Sequence, residues 1–176
     1  MTGQSLLDRI DRTLVAALQE NARLSNKELA ERAGLAPSTC LERVRSLRGR
    51  GVIRGYHADV DPAALGRELE AVVAVRIRPH SRPVVDAFWA HVLELPETIE
   101  ISHVSGADDF LVHIAVADTD ALRDFILDGL TTRPEVAHLE THLVFARARK
   151  PALEPLGEPA PPLRRRLESQ GSSAGG

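Results

Sequence analysis

Residues 25–56 read SNKELAERAGLAPSTCLERVRSLRGRGVIRGY, and this stretch decides the fold of the first part of the chain. Ser25 with Glu28 three residues on is a capping box, so a helix is expected to start there. Leu29, Ala30 and Ala33 give that helix an apolar side, and Gly34 ends it. Pro37 then stands in the first turn of a second helix, where a missing N–H costs nothing. That helix is expected to run to about Gly49 or Gly51. Two helices joined by a glycine-bearing turn form a helix-turn-helix, whose second helix can enter the DNA major groove.

The second helix divides cleanly around its axis. At about 100° per residue, Cys40, Val44 and Leu47 share one side and are expected in the core. Thr39, Glu42, Ser46 and Arg50 fall roughly opposite, with Ser38 at the amino end and Arg43 and Arg45 on the flanks. Small polar residues near the helix start can approach base edges, and arginines suit guanine edges or phosphates. Ser38, Thr39, Glu42, Arg43, Arg45, Ser46 and Arg50 are therefore the candidate DNA contacts. Arg43, Arg45, Arg48, Arg50 and Arg54 follow one another with no acidic residue among them. A solvated basic helix would explain the charge run alone. The cap, the turn glycine, Pro37 and the polar/apolar split together favour DNA.

Charge is unevenly spread along the 176 residues, whose formal net charge is −3. Residues 1–60 hold 10 Lys+Arg against 7 Asp+Glu, while residues 61–150 hold 9 against 15. Phosphate affinity is thus expected in the first segment, and the second would repel DNA. With 43% hydrophobic and 27% charged residues, the chain has the composition of a globular protein. Its apolar runs fall far short of the ~18 residues that span a bilayer, and no signal-peptide pattern opens it. No membrane partner and a cytoplasmic location are expected. The one cysteine, Cys40, excludes an internal disulfide and reads as core packing.

Ser5 and Asp8 mark a helix start, after which Leu6, Ile10, Leu14, Ala17 and Leu18 recur at helical spacing to about Asn21. This helix would complete a three-helix domain. Val52–Val60 looks extended, and Asp61-Pro62 with Gly66 marks a hinge. From Glu70 the period becomes two: Val73, Val75 and Ile77 alternate with Val72, Ala74, Arg76 and Arg78, predicting a strand with one buried face. A helix over Pro83–Leu95, strands over Ile99–Val104 and Phe110–Ala117, a helix over Leu122–Leu130 and a strand over Val136–Ala146 follow. The order βαββαβ is the ferredoxin-like arrangement. The fold class expected is α+β: a three-helix, winged helix-turn-helix domain over 1–60, a hinge over 61–69, and a ferredoxin-like domain over 70–150. Residues 151–176, with five prolines, Arg164–Arg166 and a GSSAGG ending, are expected to be a disordered tail.

Over residues 5–150 the chain resembles the leucine-responsive regulator/asparagine-regulator (Lrp/AsnC) family of transcription factors. The resemblance rests on LDRIDRTLVAALQENARLSNKELAERAGLAPSTCLERVRSLRGRGVIRGYHADVDPAALG and, more briefly, on GADDF at 106–110. It implies an amino-terminal DNA-binding domain and an effector domain that dimerises, with dimers often building octamers. It also implies an amino acid sensed between effector domains. It sets Ser38, Thr39 and Arg43 on the recognition helix and Val52–Tyr56 in a strand leading to the linker. Ala36 stands where the family often has serine.

The loop Ser105–Asp109 admits two readings. Gly106 lets the backbone turn where a side chain would clash, and exposed N–H groups beside it can hold a carboxylate. Asp108 or Asp109 can take an α-ammonium, and the family pattern G-x-x-D-(F/Y) points to Asp109. The same residues also make a good hairpin turn. His103, Ser105, Gly106, Ala107, Asp108 and Asp109 are the candidate effector residues. His138, Glu140 and His142 alternate on one strand, so they share a face, with His113 on a neighbouring strand and His103 near its end. Such groups can ligate zinc, but no tight ligand motif accompanies them, and no metal or other cofactor is assigned.

Nothing supports a catalytic mechanism directly: Ser38 and Ser105 lack a base at a telling spacing, and no Gly-rich phosphate loop is present. The expected function is sequence-specific DNA binding by a transcriptional regulator that responds to an amino acid or related molecule. Its expected partners are double-stranded DNA, that effector and further copies of itself, as a homodimer and up to an octamer. Two alternatives stand beside it. Sirohaem decarboxylases resemble the family across both domains, and a small-molecule module without DNA affinity would share the second.

Overall fold

In the computed structural model, residues 7–150 and 152–157 are described. The expected helix start at Ser5, Leu6, and the Arg164–Arg166 cluster lie outside the described residues. The chain divides into two compact units, one of residues 1–57 with 149 onward and the other of residues 58–148.

The first unit is built from α1 (Arg9–Glu20), α2 (Asn26–Ala33) and α3 (Pro37–Gly49). Each begins where its sequence supplies a cap or a rigid first turn. Asp8 accepts from the Asp11 N–H at the head of α1. Ser25 accepts from the Glu28 N–H while Glu28 reaches back to the Ser25 N–H, completing the capping box. Pro37 opens α3, whose N-cap residue Ala36 makes no side-chain bond. Gly34 ends α2 at φ 65°, a conformation that a β-carbon penalises, so the tight turn into α3 needs glycine. Leu14 and Leu18 of α1, Leu29 and Ala30 of α2, and Cys40 and Leu47 of α3 close the core between them. Ser25→Ala should cost about 1 kcal/mol of stability by removing the side-chain cap of α2. Urea unfolding followed by far-UV circular dichroism will read this as a lowered midpoint.

The winged part of the expectation is not met: among the described residues of the first unit there is no strand. Val52–Val60 runs through a bend into open chain. A single extended segment has no ladder to satisfy its N–H and C=O groups, and none is offered here by a neighbouring segment. The expected hinge holds a short 3-10 turn, Pro62–Leu65, capped by Asp61. Of the expected tail, Leu153 is held against α1: its N–H donates to Gln19 Oε1 at 2.9 Å, and its carbonyl accepts from Gln19 Nε2 at 3.1 Å.

The second unit follows the βαββαβ order: β1 (Leu69–Ile77), α4 (Arg82–Glu94), β2 (Thr98–His103), β3 (Phe110–Val116), α5 (Thr119–Asp124) and β4 (Val136–Leu143). α5 runs on as a π-helical segment, Phe125–Thr131. All pairings are antiparallel and the sheet order is β2-β3-β1-β4, as a ferredoxin-like fold requires. Alternation divides the sheet into two faces. Ala71, Val73, Val75 and Ile77 of β1 are fully buried with Phe110, Val112 and Ile114 of β3. Phe88 and Val92 of α4 and Leu122, Phe125 and Leu130 of the second helical segment cover them. Val72, Ala74 and Arg76 point to the other face, beside His113 and Leu111 on β3 and His142, Glu140 and His138 on β4.

Candidate functional site

α3 presents two different surfaces. Ser38, Thr39, Glu42, Arg45 and Ser46 are exposed on it, as are Arg48 and Arg50. Cys40 and Leu47 are fully buried, and Val44 packs against the same core. Burial raises the Cys40 thiol's pKa, so at neutral pH it is an inert packing group.

Arg43 lies where these surfaces meet, and its guanidinium is engaged within the domain. Its Nη1 donates to Asp8 Oδ2 at 2.7 Å and to Asp11 Oδ1 at 2.8 Å. Arg50 Nη1 lies 3.4 Å from the second Asp11 oxygen. Burial pushes the Asp8 carboxyl up, but the Asp11 N–H and the Arg43 guanidinium outweigh it and hold Asp8 below the usual carboxylate range. The Arg43 guanidinium is in turn held more firmly charged, chiefly by its hydrogen bond to Asp8. Arg50 was expected opposite the core and instead turns toward α1. It caps the carboxyl end of α3 in helical conformation, seven residues and about two turns after Arg43, and so comes to Arg43's side of the helix. The sequence marks Asp8 only as a helix start and gives no sign of a role for Asp11, because their partners lie 32 to 39 residues away.

The GADDF loop joins β2 to β3 and is tied down at several points. Gly106 has φ 136°, a region that L side chains avoid, so the turn depends on glycine. The Asp109 N–H donates to Val75 O at 3.0 Å, and the Val104 N–H donates to Asp109 O at 2.9 Å. The Asp109 carboxylate accepts from the Ile77 N–H at 2.8 Å and from Arg78 Nη1 at 3.2 Å. Its other oxygen lies 3.0 Å from His80 Nδ1. Burial opposes ionisation of Asp109, but the Ile77 N–H with the facing His80 and Arg78 lowers its pKa overall. Arg76 Nε donates to Ala107 O at 2.6 Å, with its Nη2 3.7 Å from Asp108 Oδ1. Ser105, Gly106 and Ala107 are exposed, and Asp108 is partly so. Arg76, Arg78 and His80 escaped the sequence reading of this loop, since pairing with β1 brings them to it from some 30 residues away.

The histidines part company. His138, Glu140 and His142 do share the sheet face without helices, and His113 lies on that face with its Nε2 2.8 Å from Glu70 Oε2. His103 pairs with Phe110 on the opposite, helix-covered face and stacks on it at 4.9 Å, and its ring also stacks with that of His80 at 5.8 Å. Among the described residues no three His, Cys, Asp or Glu side chains are placed to hold a metal ion. Nor is any helix among them long and apolar enough to cross a membrane.

Residues 7–48 match the AsnC-type helix-turn-helix domain, and residues 70–152 match the Lrp/AsnC ligand binding domain. The chain is 42% identical over 143 residues to the HTH-type transcriptional regulator AldR of Mycolicibacterium smegmatis, covering 81% of this chain and 84% of that protein. It is 38% identical over 144 residues to the leucine-responsive regulatory protein of Salmonella typhimurium, covering 82% and 88%. The crystal structure of a Neisseria meningitidis transcriptional regulator in complex with L-Met aligns at a TM-score of 0.75. It is 33% identical and covers 82% of this chain and 93% of that one. These relatives carry the names of regulatory proteins. With both domains matched in order along one chain, the protein belongs to the Lrp/AsnC family of transcriptional regulators.

Proposed function

We propose that the protein binds specific duplex DNA through the exposed side of α3 and changes its assembly or DNA affinity when an amino acid binds near the GADDF loop. The exposed row Ser38, Thr39, Glu42, Arg45 and Ser46 on a capped helix-turn-helix carries this reading. Small polar groups at the start of α3 would meet base edges, and Arg45 with Arg48 would meet phosphates or guanines. A homodimer formed across the helix-free sheet face would present two such helices, so the operator would be a degenerate palindrome. Octamers would add phosphate contacts by wrapping DNA. The cytoplasm is the compartment that such a role requires.

The L-Met complex of the Neisseria meningitidis relative supports an amino acid as effector class. Backbone N–H groups near Gly106 would receive its carboxylate, with His103 and Ser105–Asp108 around it. Both Asp109 oxygens are occupied by groups of the chain itself, so Asp109 builds the loop, and Asp108 is the freer acceptor for an ammonium. The effector's regulatory strength would equal its difference in affinity between assemblies.

Thermal-shift screening of the proteinogenic amino acids, then light scattering and fluorescence anisotropy with any hit, tests both halves. Gly106→Val should preserve DNA affinity while abolishing the thermal shift, because a branched side chain is strained at that φ. A full ligand response in Gly106→Val would reduce the loop to a turn. Absence of DNA binding at low salt would leave a small-molecule module.

A further inference from the structure

Asp11 is 6% exposed and carries a formal charge inside the first unit. A carboxylate in that position is costly unless it is paired and hydrogen-bonded. Both of its partners come from the recognition helix or its cap: Arg43 at 2.8 Å and Arg50 at 3.4 Å. The same Arg43 nitrogen also grips Asp8, whose other oxygen caps α1. The amino end of α1, its cap and the flank of α3 are thereby joined in one four-residue network. Arg43 and Arg50 are seven residues apart, about two helical turns, and so come to the same side of α3. Glu42 and Arg45 are turned about 100° and 160° away from Arg43 around the axis.

We infer that Arg43 is a positioning residue, which sets the pose of the recognition helix by gripping Asp8 and Asp11, while phosphate contact falls to Arg45 and cations outside the network. The inference rests on the DNA-binding reading and assigns labour within it. A guanidinium already set between two carboxylates has its charge compensated locally, so it neutralises little phosphate charge and displaces few of the cations condensed on DNA. Arg45 has no ion pair among the described residues and is exposed, as a phosphate-seeking side chain must be. The core residues Leu14, Cys40 and Leu47 hold α3 against α1 without direction, since apolar contact tolerates some rotation. Two charged contacts two turns apart supply the missing orientation, because each demands a short distance and alignment.

The test uses the full chain and two duplexes: one enriched from a randomised pool by the unmodified protein, and one of mixed sequence. Affinities are measured by anisotropy across a salt series, with folding checked by circular dichroism. Arg45→Ala should flatten the slope of log K against log salt by about 0.9, the loss of one phosphate contact. Arg43→Gln should leave that slope unchanged yet lower the preference for the enriched duplex roughly tenfold, the scale of one lost base reading. Arg43→Lys should restore much of the preference, because an ammonium can still bridge two carboxylates. A residue that only stabilises the fold would move the melting temperature without moving the preference. Asp8→Asn keeps a good N-cap and removes one partner, so it stays informative where Arg43→Gln does not fold. It should lower the preference at constant slope. A steeper slope and tighter binding in Asp8→Asn, or a flatter slope in Arg43→Gln, would make Arg43 a phosphate contact and overturn the inference. If the unmodified protein binds neither duplex at low salt, the DNA-binding reading falls first and this assignment with it.

Discussion

Phe110→Ala should lower the stability of the second unit by about 3–5 kcal/mol, the largest single-residue effect expected in this chain. Phe110 is fully buried at the start of β3, where the GADDF turn ends. Its ring lies 4.9 Å from Phe88 and 6.4 Å from Trp89 on α4, and 4.9 Å from His103 at the end of β2. One side chain therefore joins the helix layer to the mouth of the loop. Truncation removes the transfer free energy of a ring and leaves a void that two strands and a helix cannot collapse to fill. Trp89 is the chain's one tryptophan, so its fluorescence during urea unfolding reports on this very neighbourhood. Phe110→Leu should lose much less, because it keeps most of the volume. A cost below about 1 kcal/mol for Phe110→Ala would mean that α4 moves in to close the void, and that the core is softer than its packing suggests.

Structure set by neighbouring residues is legible in the sequence, and structure set by distant pairings is not. The capping box at Ser25 and Glu28, Gly34 and Pro37 each act within a few residues, and the helices start and stop at them. Alternation over Val72–Ile77 is likewise a local pattern, and it assigns the buried face of β1 correctly. The π-helical continuation of α5 has no sequence signature, since one extra residue in a turn leaves the apolar spacing nearly intact. Val52–Val60 has the composition of a strand, yet a strand exists only where a second segment pairs with it. The candidate DNA surface shows the same divide. Its exposed row followed from helical periodicity, while the capture of Arg43 by Asp8 and Asp11 depends on how α1 lies across α3. Position near a strand end suggests that His103 joins the other histidines, but register puts it on the opposite face.

Asp109 offers the second large effect, and its sign with pH follows from its surroundings. Removing its carboxylate in Asp109→Ala strands the N–H of the fully buried Ile77 and leaves Arg78 and His80 facing nothing negative. Losing a charge-assisted hydrogen bond and orphaning a buried donor should cost about 3 kcal/mol together. Asp109→Asn should cost less, because an amide oxygen can still accept from Ile77, although its NH₂ then confronts other donors. The folded pKa of Asp109 lies below its ordinary value, so the unfolded chain takes up the proton first as acid is added. Its stabilising contribution is therefore complete above the ordinary carboxylate value and drains away as pH falls through the lowered folded value. Asp109→Asn removes that dependence. Urea midpoints measured from neutral pH down to about pH 3 should converge between the two proteins at the acid end and separate at neutral pH. Parallel curves would mean that the carboxylate gains nothing from Ile77, Arg78 and His80 on folding. The GADDF loop would then be held by its backbone bonds to Val75 and Val104 alone, and the aspartate would be free to serve a ligand.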